Sequence, residues 1–273
     1  MKYCQLVVGP AGSGKSTYCT TIQEHCKTIG RKVFVVNLDP AAELFKYECA
    51  VDVRELISLD DVLEEKELLL GPNGGLVYCM EYLADNLDWL HEQLDEAEDD
   101  YFLFDCPGQI ELYSHLPVMR QIVDALKQWN FSICTTFLLD TTFCLDADKF
   151  MAAALTTLST MVALETPSAN ILTKMDLLSS ADKGFVEIFL DGDIKSVLDQ
   201  PASSSSTWNK KHRKLTESIA TVLEDYSLVK FLPLNVEDED TITELLMVID
   251  STIQYGEDTD VKDRYPEEMD DDD

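Results

Sequence analysis

Positive charge is scarce in this chain. Against 52 aspartates and glutamates stand only 21 lysines and arginines, a net charge of −31 at neutral pH over 273 residues. That balance repels phosphate backbones and anionic lipid, so no direct nucleic-acid or membrane partner is expected. Long apolar runs are also missing, and the N-terminus passes straight into a β-rich stretch, so neither a span nor a leader is expected. The four histidines (His25, His91, His115 and His212) do not pair with cysteine at zinc-finger spacing, and the eight cysteines contain no Cys-x-x-Cys pair. Several of those cysteines lie within apolar runs, as buried thiols do in a reducing compartment. These absences point to a cytosolic protein and leave access to the nucleus open. The acidic surface suits solubility, or docking onto a basic protein partner.

What is present is the composition of an ordinary globular protein, 45% apolar and 27% charged. A chain this long buries a core without help from disulfides or metal. Short apolar, β-rich runs recur at Tyr3–Val8, Val33–Leu38, Tyr101–Phe104, Ile133–Leu139, Ala169–Leu172 and Lys230–Leu234. Most are continuously apolar, the mark of strands covered on both faces of a parallel sheet. Helical patterns alternate with them: Lys15–Ile29, Val53–Glu65, Tyr82–Glu96, Leu116–Gln128, Asp148–Leu164, Lys183–Leu198, Lys211–Tyr226 and Thr241–Tyr255. The expected fold is therefore α/β, a three-layer architecture with a mostly parallel sheet flanked by helices. One domain is expected over 1–255, with a serine-rich loop at 200–210. Residues 256–273 carry ten acidic and two basic side chains and read as an acidic disordered tail.

The chemistry begins at Gly9-Pro10-Ala11-Gly12-Ser13-Gly14-Lys15-Ser16-Thr17, which is G-x-x-x-x-G-K-S between a strand and an amphipathic helix. Glycines let successive backbone N–H groups converge on a phosphate at a helix N-terminus that already favours anions. Lys15 supplies a point charge to the β- and γ-phosphates, and Ser16 offers a hydroxyl to Mg²⁺. Gly12, Ser13, Gly14, Lys15, Ser16 and Thr17 are the candidate phosphate-binding residues.

Four further segments complete the site. In Thr173-Lys174-Met175-Asp176, the carboxylate of Asp176 accepts two hydrogen bonds from the guanine edge, whereas adenine would leave it unpaired. The stem of Lys174 packs over the base, and Thr173 stands where GTPases of the N-K-x-D type carry asparagine. The run Tyr101–Phe104 ends in Asp105-Cys106-Pro107-Gly108-Gln109-Ile110-Glu111, aiming Asp105 at hydrated Mg²⁺. Gly108 brings a backbone N–H close to the γ-phosphate, Gln109 is placed to orient a water, and Glu111 is a second candidate for that task. In Asn37-Leu38-Asp39-Pro40, the proline biases Asp39 away from helix and presents its carboxylate at the sheet's carboxyl edge, for water or the magnesium shell. Gly71-Pro72-Asn73-Gly74-Gly75 reads as a loop with a rigid second position.

Together these five segments, in this order, resemble the GPN-loop GTPases, over roughly residues 2–258. The resemblance implies a dimeric GTPase using GTP/GDP and Mg²⁺, with a Gly-Pro-Asn insertion at about 66–80 that reaches the partner's nucleotide and brings Asn73 to the transferring phosphate. It further implies a related GPN-loop GTPase as heterodimer partner, and a role in RNA polymerase II assembly and nuclear localisation. Phe231–Asn235 falls where the last base-contacting loop is expected, without a residue assigned. A GTP-holding assembly module with negligible hydrolysis, or a small-molecule kinase, are the competing classes; no arginine-rich lid supports the second.

Overall fold

The computed structural model describes residues 1–65, 67–94, 101–145, 147–179, 182–184, 186, 190, 214, 217–219, 221 and 229–256. Seven strands form one sheet: β1 Lys2–Val8, β2 Val33–Asn37, β3 Cys49–Asp52, β4 Tyr101–Asp105, β5 Phe131–Asp140, β6 Ser168–Thr173 and β7 Phe231–Pro233. Their spatial order is β3-β2-β4-β1-β5-β6-β7. Every pairing is parallel, so the expected mostly parallel sheet is wholly parallel among the described strands.

The continuous helices among the described residues are α1 Lys15–Thr28, α2 Leu59–Glu64, α3 Pro72–Asp85, α4 Leu87–Leu94, α5 Glu111–Ser114, α6 Val118–Gln128, α7 Ala147–Leu164 and α8 Glu239–Ile253. Strand side chains alternate between two cores, because successive Cβ atoms leave opposite faces of a strand. Cys4, Leu6 and Val8 of β1, with Phe102 and Phe104 of β4, join the core under α3, α4, α6 and α7. Tyr3 and Val7, with Tyr101 and Leu103, join the core under α1 and α8, where Ile22, Leu245 and Ile249 are fully covered or nearly so. Continuous apolarity in the sequence thus reports burial from both sides. Among the described residues no helix is long and apolar enough to cross a membrane.

Three expectations need correction. Strand β3 was not visible as a run, because it is a four-residue edge strand with one exposed residue, Ala50. The span Val53–Glu65 is broken into a 3-10 turn, Val53–Glu55, and α2, with Ser58 capping α2 through the Asp61 N–H. Helix α3 begins ten residues before the expected Tyr82, and a break at Asn86 separates it from α4. The reason lies at its start: Gly71 is the N-cap and Pro72 sits at the first helical positions, where a missing N–H costs nothing. The Gly-Pro-Asn segment is therefore the first turn of a helix rather than a loop. Most of 183–198 and 211–226, all of 200–210 and 257–273 lie outside the described residues.

Candidate functional site

The chain leaves β1 leftward to β2 and later crosses to β5 on the right, so the carboxyl end of β1 is a switch point of the sheet. Ligands bind at such crevices in open α/β sheets. Gly9 follows β1 with φ +147°, and a Cβ there would meet the Leu138 carbonyl oxygen at 2.4 Å, so only glycine lets the loop turn under β5. The loop ends at Gly14, the N-cap of α1, with no side chain capping the helix. Its first N–H groups are thus left for an anion.

Lys15 is buried and donates to the carbonyls of Gly9 and Pro10 at 3.2 Å each. Burial lowers its pKa, against the pull of the carboxylates of Asp105 and Asp39. Ser16 and Thr17 are exposed at the start of α1, and Ser13 Oγ is buried with no hydrogen-bond partner among the described residues. An orphaned buried hydroxyl beside the uncapped N-terminus of α1 fits a phosphate-binding cradle.

Asp105 ends β4 in register with Val7 of β1 and Asn37 of β2, which fixes it beside the phosphate loop. Burial raises its carboxyl from the usual range, opposed by the hydroxyls of Ser16 and Tyr47 and by the Lys15 ammonium. Tyr47 OH donates to Asp105 Oδ2 at 3.0 Å. Gly108 approaches the loop from the other side: a Cβ there would meet Ala11 Cα at 2.9 Å, so its backbone lies directly on the phosphate loop. Tyr113 OH donates to the Pro107 carbonyl and holds that turn.

Asp39 lies at the end of β2, half-buried, with its pKa raised by burial against the Ala41 N–H and Lys15. Asn37, which sequence reasoning left without a role, places it: Asn37 Oδ1 accepts from Asp39 N–H at 3.0 Å while Nδ2 donates to the Asp39 carbonyl and to Asp52 Oδ1. Arg54 then grips Asp52 and donates to the carbonyls of Ala42 and Glu43. Segment 39–48 is therefore tied at both ends to groups facing the site.

The segment expected to read the base, Thr173–Asp176, starts at the end of β6. Thr173 Oγ1 donates to the Ser13 carbonyl at 2.7 Å and to the Leu139 carbonyl at 3.2 Å. The residue standing in for asparagine thus braces the phosphate loop itself. Lys174 takes a left-handed φ of 62°, and its ammonium lies 2.6 Å from Asp140 Oδ2, at the end of β5. Asp140 was not foreseen, though an aspartate ending an apolar strand was its signal. Asp176, half-buried in the turn Met175–Leu177, has no hydrogen-bonded side-chain partner among the described residues. After β7, the Asn235 side chain accepts from Glu237 N–H at 3.0 Å in a local turn at the surface.

Two candidates from distant segments meet. Gln109 Nε2 donates to Asn73 Oδ1 at 3.1 Å, near the protein surface. Glu111 is exposed at the N-terminus of α5 and makes no side-chain contact with them among the described residues.

This fold and cradle define a P-loop nucleoside triphosphate-binding protein. A family model described as a conserved hypothetical ATP binding protein matches residues 7–255. Relatives named GPN-loop GTPase 3 are 54% identical in Danio rerio, over 98% of this chain and 93% of that protein, and 46% identical in Saccharomyces cerevisiae, over 92% of each. The chain belongs to the GPN-loop GTPase family, and it is a GTP-binding GTPase. In fold it is similar to the crystal structure of a GTPase in apo form from Pyrococcus abyssi, with a TM-score of 0.75 and 24% identity over 92% of this chain and 97% of that one. The family model's description names ATP, whereas the relatives are named GTPases.

Proposed function

We propose that the chain is a Mg²⁺-dependent GTP switch that works as a dimer with a related GPN-loop subunit and serves RNA polymerase II assembly and nuclear entry. The observation that carries the catalytic part is the Gln109–Asn73 hydrogen bond. It links the residue placed to orient a water with the residue the family resemblance assigns to the transferring phosphate. In the single chain the two side chains occupy one another, so slow intrinsic turnover follows. Engagement of a partner at α3 would release Gln109 toward water and Asn73 toward charge developing in the transition state.

The oxygen donors of Ser16, Asp105 and Asp39 suit magnesium, which takes hard oxygen ligands and leaves the rest of its shell to water and phosphate. Bound there, Mg²⁺ would neutralise charge between the β- and γ-phosphates. Lys15 would turn from the carbonyls of Gly9 and Pro10 to the phosphates, and Gly108 would offer its N–H. Thr173 would keep the loop in place while Lys174 covers the base and Asp176 tests its edge.

The role with RNA polymerase II, and a cytosolic chain shuttling to the nucleus, rest on the family resemblance; the charge of −31 supports protein rather than nucleic-acid partners. The test is nucleotide binding by the purified chain and by Lys15→Ala, with and without Mg²⁺, followed by recovery of polymerase subunits on each. Lys15→Ala should lose GTP and its polymerase subunits together. Unchanged GTP affinity in that variant would overturn the site.

A further inference from the structure

At the opposite edge of the sheet from the nucleotide site lies a cavity of about 560 Å³, lined by Lys27 at the end of α1, Arg31 and Lys32 before β2, and Lys46 before β3. Glu24 and Glu48 also line it, so four cations face two carboxylates in a chain whose net charge is −31. Arg31 is neutralised as part of the wall, pairing with Asp250 at 2.7 Å between the rings of Tyr101 and Tyr255. The Lys32 ammonium lies over the Phe34 ring at 4.3 Å, and neither it nor the exposed Lys27 and Lys46 has an ion-pair partner among the described residues. With Arg31 paired, three lysines stand against two glutamates, a net positive groove in an acidic chain and a site for a carboxylate-rich peptide.

The chain itself supplies one. Helix α8 ends at Gln254 with φ 58°, and Tyr255 N–H donates to the Asp250 carbonyl at 2.9 Å. This sets the Tyr255 ring 3.8 Å from the guanidinium of Arg31, which lines the cavity. After Gly256 come Glu257 and Asp258, the first of ten acidic side chains in 257–273, against Lys262 and Arg264. Seventeen residues span up to about 60 Å when extended, so reach sets no limit. A tether this short holds its carboxylates at roughly millimolar effective concentration. We propose that residues 257–273 dock in cis on the groove of Lys27, Lys32 and Lys46. The contacts are ammonium to carboxylate at a partly open surface, so they weaken with salt.

Two measurements on the full chain test this. Zero-length carbodiimide cross-linking of an equal mixture of ¹⁴N- and ¹⁵N-labelled protein should join Lys27, Lys32 or Lys46 to carboxylates of 257–273 within one isotopic copy. Tryptic cleavage after Lys262 and Arg264 should speed up severalfold in K27A/K32A/K46A, whose exposed positions leave the core intact, and in parent protein at about 1 M salt. Absence of those links, or links only between copies, overturns the proposal. So does a cleavage rate unchanged in the lysine variant.

Discussion

Gln109 of the loop after β4 donates to Asn73 in the first turn of α3 at 3.1 Å, across 36 positions of sequence. The bond ties the loop that follows Asp105 to the helix that carries the Gly-Pro-Asn segment. Removing the amide that orients water should slow chemistry and leave ground-state binding alone. In complex with a related GPN-loop subunit, Gln109→Ala is expected to lower the single-turnover rate about a hundredfold with GTP affinity held within about twofold. Rapid-quench measurements and nucleotide titration check the two halves separately.

Asp176 is expected to carry base choice. Asp176→Asn keeps shape and removes the charge that accepts two guanine N–H groups. Affinity for GTP should fall by about thirtyfold or more while ATP affinity does not fall. Competition binding with both nucleotides reads the ratio, and an unchanged ratio contradicts the assignment.

Thr173 is expected to matter through Ser13. Its hydroxyl is buried and serves two carbonyls, those of Ser13 and Leu139. Thr173→Val keeps the volume and removes the proton given to the Ser13 carbonyl, so stability should drop by about 1–3 kcal/mol. GTP affinity should weaken as well, because the loop loses its brace. Chemical denaturation and nucleotide titration on the same preparation test both.

Asp140 gives a pH-dependent prediction. Burial alone would raise its carboxyl, but the Lys174 ammonium and the Thr142 N–H hold it below the usual carboxylate range. A depressed folded pKa contributes stability above the unfolded value, and that stability is lost as pH falls through the folded one. The stability lost in Asp140→Asn should therefore be full at neutral pH and close progressively below about pH 4. Dilute urea titrations followed by fluorescence measure the difference, and a gap independent of pH contradicts the pairing.

The local parts of this site were legible because their chemistry is written in adjacent residues. The phosphate loop, Asp105 and Thr173–Asp176 each sit at the end of an apolar strand, and six of the seven strands showed as such runs. Strand β3 did not, since four half-covered residues at a sheet edge carry no period. Helix α3 was mistaken at its start because glycines at 71, 74 and 75 argue for a loop on propensity, while Pro72 at the first turn argues for a helix. The braces were invisible for another reason. Tyr47 on Asp105, Thr173 on Ser13 and Gln109 on Asn73 join positions 58, 160 and 36 apart, and only the strand order brings them together.

The most direct test is single-turnover GTP hydrolysis by this chain at fixed concentration, titrated with a related GPN-loop subunit whose own P-loop lysine is replaced by alanine. Turnover should rise from a low value and saturate as the complex forms. A partner that also lacks its Gly-Pro-Asn asparagine should bind as well yet leave the rate near its starting value. A rate that stays flat while the complex forms, or that rises equally with either partner, would contradict hydrolysis completed across the interface.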